Sequence, residues 1–249
     1  MIKAEINEAK QESSSITTAF TEIREGVLDD IPRTNSNIEN TEDSKDLTSQ
    51  PTIIKAASES VTAVVTQPKG DRWAVASPDV DLSGKWELIV TNEFKEHYDR
   101  YLERLGQPKI VRSVALSGPV IGQTMEELIQ IDCGRSLLIR GKNIRGTWDR
   151  TLVASGTTKY EDEYTPLIET IRTVDGEQVK SEAWWESEGT VHISWMRGVT
   201  MYGGGSFFSR RYFEEMEGET VYVCDSSFVF NDPDKEDNSL TWRFRRMTN

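Results

Sequence analysis

Asp81-Leu-Ser-Gly-Lys-Trp-Glu-Leu-Ile-Val-Thr91 runs directly into Asn92-Glu-Phe-Lys-Glu-His-Tyr-Asp-Arg-Tyr-Leu-Glu-Arg-Leu-Gly106, and the change of period between the two decides the fold. In the first stretch a turn feeds a strand that alternates Trp86, Leu88 and Val90 on one face. In the second, Phe94, Tyr98, Tyr101, Leu102 and Leu105 recur at helical spacing, with Asn92 as N-cap and Gly106 and Pro108 as the stop. Residues 109–116 can form a second short helix. From Thr124 onward the chain reads as strands alone. Candidates cover 125–132, 136–141, 146–154, 159–164, 167–174, 178–187, 190–197, 206–213, 220–230 and 240–247, with Asp175-Gly176, Glu188-Gly189 and Glu217-Gly218 as hairpin loops. With the first strand this makes about eleven candidates, one every dozen residues or so, a spacing that predicts an antiparallel sandwich or barrel rather than βαβ units.

Composition divides the chain just upstream. Of its 22 aromatic residues only Phe20 and Trp73 precede Asp81, and the first 80 residues carry 14 Asp or Glu against 8 Lys or Arg. So little apolar surface cannot offset the entropy of ordering the chain, and residues 1–80 are expected to be a disordered acidic arm, a tether or a docking peptide for a protein partner. Residues 81–249 are enough for one domain with its own core. The net charge of −13 leaves no basic footprint for phosphate backbones, so nucleic acid is not an expected partner. No stretch approaches the ~20 apolar residues of a membrane span, and the first residues lack the apolar run of a secretory signal, which points to a soluble, cytoplasmic protein or one delivered to an organelle by a removed transit peptide.

Catalytic motifs are missing. Cys133 and Cys224 fit no metal spacing, and His97 and His192, the two histidines, have no second ligand at a suitable distance along the chain. Tyr202-Gly-Gly-Gly-Ser206 lacks the helix that a phosphate loop needs, and the carboxylate runs Glu126-Glu127, Glu161-Asp162-Glu163 and Glu214-Glu215 read as solvated faces. No catalytic residue, metal or cofactor is therefore expected.

With Gly84-Lys-Trp86, then Glu93-Phe94, Tyr98, Tyr101 and Leu105-Gly106, residues 81–247 resemble the intracellular fatty-acid-binding proteins and their retinoid-binding relatives within the lipocalin-like (calycin) superfamily. The resemblance implies an all-β fold, an antiparallel up-and-down barrel of about ten strands with a short helical lid after strand 1. It also implies a ligand carboxylate held by an inward Arg-x-Tyr pair on the last strand, and there this sequence departs. In Thr241-Trp-Arg-Phe-Arg-Arg-Met247, either Arg243 and Arg245 face inward and await an anion, or Trp242 and Phe244 do and the arginines coat the outside. Aligning the family's Thr-Arg-x-Tyr on Thr241-Trp-Arg-Phe places Trp242 and Phe244 inward. A further inward arginine of the family, two strands from the end, matches Arg210 or Arg211. Phe207, Ser209 and Phe213 share a face with Arg211, which makes it the better candidate.

Large rings occupy many candidate inward positions, among them Trp86, Trp148, Trp184 or Trp185, Trp195, Phe207, Phe213, Phe228, Trp242 and Phe244. A barrel of this strand number leaves a cavity. The leading expectation is a non-enzymatic carrier of an apolar small molecule such as a fatty acid, retinoid or carotenoid. Its ligand-binding residues are Arg211, Trp242, Phe244, Arg243, Arg245, Trp195, Phe213 and, from the lid, Phe94. A filled barrel that docks on a larger assembly and a lipocalin-like isomerase or cyclase are the alternatives.

Overall fold

Glycine-containing turns fold residues 84–246 back and forth into ten antiparallel strands. They are β1 (Gly84–Leu88), β2 (Met125–Ile131), β3 (Ser136–Asn143), β4 (Gly146–Val153), β5 (Glu169–Arg172), β6 (Gln178–Glu186), β7 (Val191–Val199), β8 (Gly205–Met216), β9 (Glu219–Phe230) and β10 (Asn238–Arg246). The structure, a computed structural model, describes residues 71–143, 146–158, 164–173 and 175–248. The expectations for residues 1–70, and for the strand at 159–164 up to residue 163, lie outside them; Tyr164 is described and is not in a strand. Glu217 and Gly218 both take positive φ (55° and 84°), the geometry of a two-residue hairpin whose twist matches its strands, so β8 and β9 stay paired over their full length.

Strand order is β4-β3-β2-β1-β10-β9-β8-β7-β6-β5. Neighbours in sequence are neighbours in space, and β1 meets β10, which nearly closes the barrel. β4 and β5 do not pair. Instead the end of β4 reaches β6 through a parallel bridge between Ala154 and Ala183.

A strap ahead of β1 covers this opening. Trp73 bonds both ways with Trp185 (N–H to O 2.8 Å, O from N–H 2.9 Å), and residues 72 and 74 do the same with Thr157 (2.9 Å each). Ala76 and Ser77 donate to the carbonyls of Cys133 and Gly189 (2.8 and 2.9 Å). Arg72 forms an ion pair with the buried Glu182 at 2.9 Å and lies 3.6 Å from the Trp184 ring centre. Residues 71–80 thus contact the barrel. Backbone hydrogen bonds hold this segment, and they leave little mark on aromatic content.

Between β1 and β2 lie α1 (Asn92–Arg104), α2 (Lys109–Ala115) and α3 (Gly118–Ile121), the last unanticipated. The N-cap of α1 is Thr91, not Asn92: its hydroxyl accepts from the Phe94 N–H at 3.0 Å. Gly106 at φ 77° ends α1, donating to Glu103 O (2.8 Å) while Gln107 donates to Leu102 O (2.9 Å), a Schellman stop. Phe94, Tyr98, Tyr101 and Leu102 form the buried face of α1.

At the end of the barrel away from the helices the interior is full. Trp86, Leu82, Leu128, Leu137, Leu152, Tyr222 and Trp185 are each at most 2% exposed. Trp86 stands 5.6 Å from Tyr222, donates to Leu82 O at 3.1 Å, and closes this end as a floor.

Candidate functional site

Above that floor and below α1 lies a cavity of about 180 Å³. Tyr98, Tyr101, Leu102 and Leu105 form its roof, Trp242 and Phe244 of β10 one wall, and Trp148 and Arg150 of β4 the wall opposite, with Met196, Phe207 and Arg211 between them.

The pairing of β10 with β1 and β9 resolves the last strand. Trp242 lies opposite Cys224 and Phe244 opposite Leu88 and Tyr222, so both side chains face inward. Trp242 packs against Phe94 and Tyr98 (5.4 and 5.2 Å), and Phe244 stacks on Tyr222 (5.2 Å, 27°). The period of two then sends Arg243 and Arg245 outside, where β8 and β1 supply carboxylates: Glu214 at 3.2 Å and Glu87 at 2.7 Å. Neither arginine belongs to the cavity. Trp195 is also outside, 6.2 Å from Phe208 with Arg197 over its ring, because Ser194 and Met196 take the inward positions of β7. Of the Trp184–Trp185 pair, Trp185 points in. Phe213 points in but lies in the floor, 5.8 Å from Trp86, and Phe94 backs the roof through Trp242 without bordering the cavity.

Arg211 sits in one cross-strand row with His192, Cys224 and Trp242. It is 5% exposed, donates from one terminal nitrogen to Ser194 Oγ at 2.9 Å, and its Nε has no partner. Arg150 also reaches inward. One of its terminal nitrogens meets Met196 Sδ at 3.3 Å, and its Nε too is buried without a partner. Burial, followed by repulsion from Arg211, lowers Arg150 from 12.5 to about 10, with Glu126 acting the other way, so it remains charged at neutral pH. For Arg211, burial pulls the pKa down, but Cys224, Tyr222 and Glu126 together outweigh it and raise the value. Neither guanidinium forms an ion pair among the described residues. Glu126 instead accepts the Tyr222 hydroxyl at 2.9 Å. Burial first, then Glu126, pushes the Tyr222 phenol well above 10, and burial raises the Cys224 thiol, so both stay neutral.

Below Arg211, His192 is fully buried, edge-on to Trp185 at 5.0 Å, with neither ring nitrogen hydrogen-bonded. Burial, then the charge of Arg211, holds its pKa well below 6.5. Among the described residues no cluster of three or more His, Cys, Asp or Glu could hold a metal ion, and no helix is long and apolar enough to cross a membrane.

Sequence reading missed Arg150, Glu126 and Tyr222. A signal existed for Arg150: it shares a strand face with Leu152 and with Trp148, itself a candidate inward ring. Glu126 was hidden within a carboxylate run that looks solvent-facing, although the cross-strand row Trp86, Glu126, Gly141, Trp148 carries it inside.

No family model and no curated protein matches this chain. Among solved structures it is similar to the REP1-NXSQ fatty acid transporter (20% identity, 68% of this chain and 98% of that one, TM-score 0.42). It is also similar to a tyrosine-to-phenylalanine mutant of that transporter (20%, 67% and 98%, 0.40) and to human cRBP IV (15%, 68% and 99%, 0.43).

Proposed function

We propose that this protein is a non-enzymatic carrier of a small apolar acid, whose acid group lies between Arg150 and Arg211 while its apolar body fills the space below α1. The observation that carries this reading is a buried guanidinium, Arg211, beside a half-buried one, Arg150, each with a buried, unpartnered Nε, at the edge of a largely apolar cavity. A desolvated charge without an ion-pair partner is costly, and two of like sign near each other are more so. A carboxylate would accept from both forks in charge-assisted bonds and relieve the repulsion. Glu126, already bonded to Tyr222, offsets only part of that charge. Of the titratable groups at the cavity wall, Cys224 is neutral, and His192 lies outside the lining.

Access runs past α1. The strands are locked in a ladder from β4 round to β5, whereas α1 is held by side-chain contacts that include ring packing, a buried bond from Asn238 Nδ2 to Tyr101 O (2.7 Å) and the Arg104–Glu236 ion pair (3.7 Å). Native mass spectrometry of the protein purified from its own cells, followed by solvent extraction, tests the proposal. One acidic apolar molecule per chain supports it. A barrel that arrives empty and takes up no fluorescent fatty acid refutes it.

A further inference from the structure

From the dimensions of the cavity we infer that its ligand is a compact acid, with a short chain or a single ring, and that Trp148 is the residue that excludes long chains. The inference rests on the carrier reading above and narrows it. At about 180 Å³ the cavity falls below the roughly 300–1,000 Å³ of sites that enclose drug-sized molecules. A water molecule's share of liquid volume is about 30 Å³, and an engineered cavity of about 150 Å³ takes up benzene, so the space suits roughly six to eight non-hydrogen atoms beyond the acid group.

Packed rings close three directions in which a longer chain could extend, while elsewhere the cavity is partly open, with Asn143, Thr173 and Asp175 also in its lining. Below, Phe244, Tyr222 and Trp86 stand 5.2 and 5.6 Å apart in succession, each at most 2% exposed. Above, Tyr98 meets Trp242 edge-on at 5.2 Å. To the side stands Trp148, whose ring lies over Gly141 and fills the position that a Cβ there would need. Trp148 and Glu126 border the cavity on one side and, on the other, a groove of about 610 Å³ along β1 to β4. The indole is the partition between them. A long acyl chain must displace a packed ring or leave its end in water, and either outcome removes the gain that each added methylene ordinarily brings.

The test is a titration of the full chain with octanoate, 3-phenylpropanoate and palmitate, the last kept below its micelle concentration, by calorimetry and by competition with a fluorescent acid. Octanoate and 3-phenylpropanoate should bind, and palmitate at least tenfold more weakly than octanoate. Affinity that keeps rising to palmitate overturns the inference while leaving the carrier reading intact; no binding by any of the three overturns the carrier reading itself. In Trp148→Ala, checked for a native circular dichroism spectrum, cavity and groove merge and the palmitate-to-octanoate affinity ratio should rise at least tenfold. An unchanged ratio in the folded variant removes Trp148 from its assigned role, and the wild-type series decides the size limit whether or not the variant folds.

Discussion

Gly156→Ala adds one methyl group where the strap crosses the opening between β4 and β6. A Cβ on Gly156 would stand 2.6 Å from both the carbonyl oxygen of Arg72 and the carbonyl carbon of Trp73, whereas ordinary contact begins near 3.4 Å. Both obstacles are backbone, so no side chain can swing aside, and the strap must retreat by most of an ångström. Four backbone hydrogen bonds of 2.8 to 2.9 Å oppose that retreat, two to Trp185 and two to Thr157. At about 0.5–1.5 kcal/mol net for each bond, complete release costs roughly 2–6 kcal/mol, while overpacking with the bonds kept costs about 1–3 kcal/mol. A loss of about 2–4 kcal/mol is expected, which for a domain of this size lowers Tm by roughly 5–15 °C. Thermal unfolding followed by near-UV circular dichroism reads it, with Gly118→Ala as the control because nothing lies within 4 Å of a Cβ there. If Gly156→Ala melts within about 2 °C of both wild type and that control, the strap is not packed as described.

Three further perturbations separate binding from stability. Arg150→Met removes a half-buried charge that has no ion-pair partner among the described residues, so urea unfolding should show stability unchanged or raised by about 1–3 kcal/mol, while octanoate affinity falls at least tenfold; loss of both would make Arg150 structural. His192 stays neutral in the fold but is protonated below about pH 6.5 once unfolded, so the unfolded state binds the extra proton and stability falls as pH drops through 6.5. Between pH 7.5 and 5.5 wild type should lose about 1.4 kcal/mol more than His192→Gln, and equal losses would contradict the buried neutral imidazole. Asn238→Ala removes the bond to Tyr101 O that ties α1 to β10, and at about 1–1.5 kcal/mol this should speed ligand exchange in stopped-flow measurements up to tenfold; an unchanged exchange rate would place the entry route elsewhere.

The barrel was legible because its strands alternate and its turns are marked by glycine, and the lid because five apolar residues fall on one helical face. Period alone could not choose between the two faces of β10, since a shift of one residue exchanges them; the choice follows from pairing with β1 and β9, at a separation no local pattern encodes. The same limit sent Trp195 to the wrong side and hid Arg150. The strap was illegible for a different reason: residues 71–80 hold only one aromatic residue, and their fit depends on Gly134, Gly156 and Gly189 in distant loops being bare where the strap passes. The large rings at candidate inward positions suggested an interior either filled or hollow. It is divided, with rings filling the floor and a modest cavity remaining below α1.

The most direct test of the central claim is a ¹⁵N–¹H spectrum of the arginine Nε–H groups, recorded as 3-phenylpropanoate is added to the full chain. Arg150 and Arg211 each carry an Nε–H with no partner, whereas those of Arg243 and Arg245 are already bonded to Glu214 and Glu87. The account predicts saturable shifts of the Arg150 and Arg211 signals on binding, with those of Arg243 and Arg245 unmoved. Binding that shifts Arg243 or Arg245 and leaves the two interior arginines unchanged would contradict it.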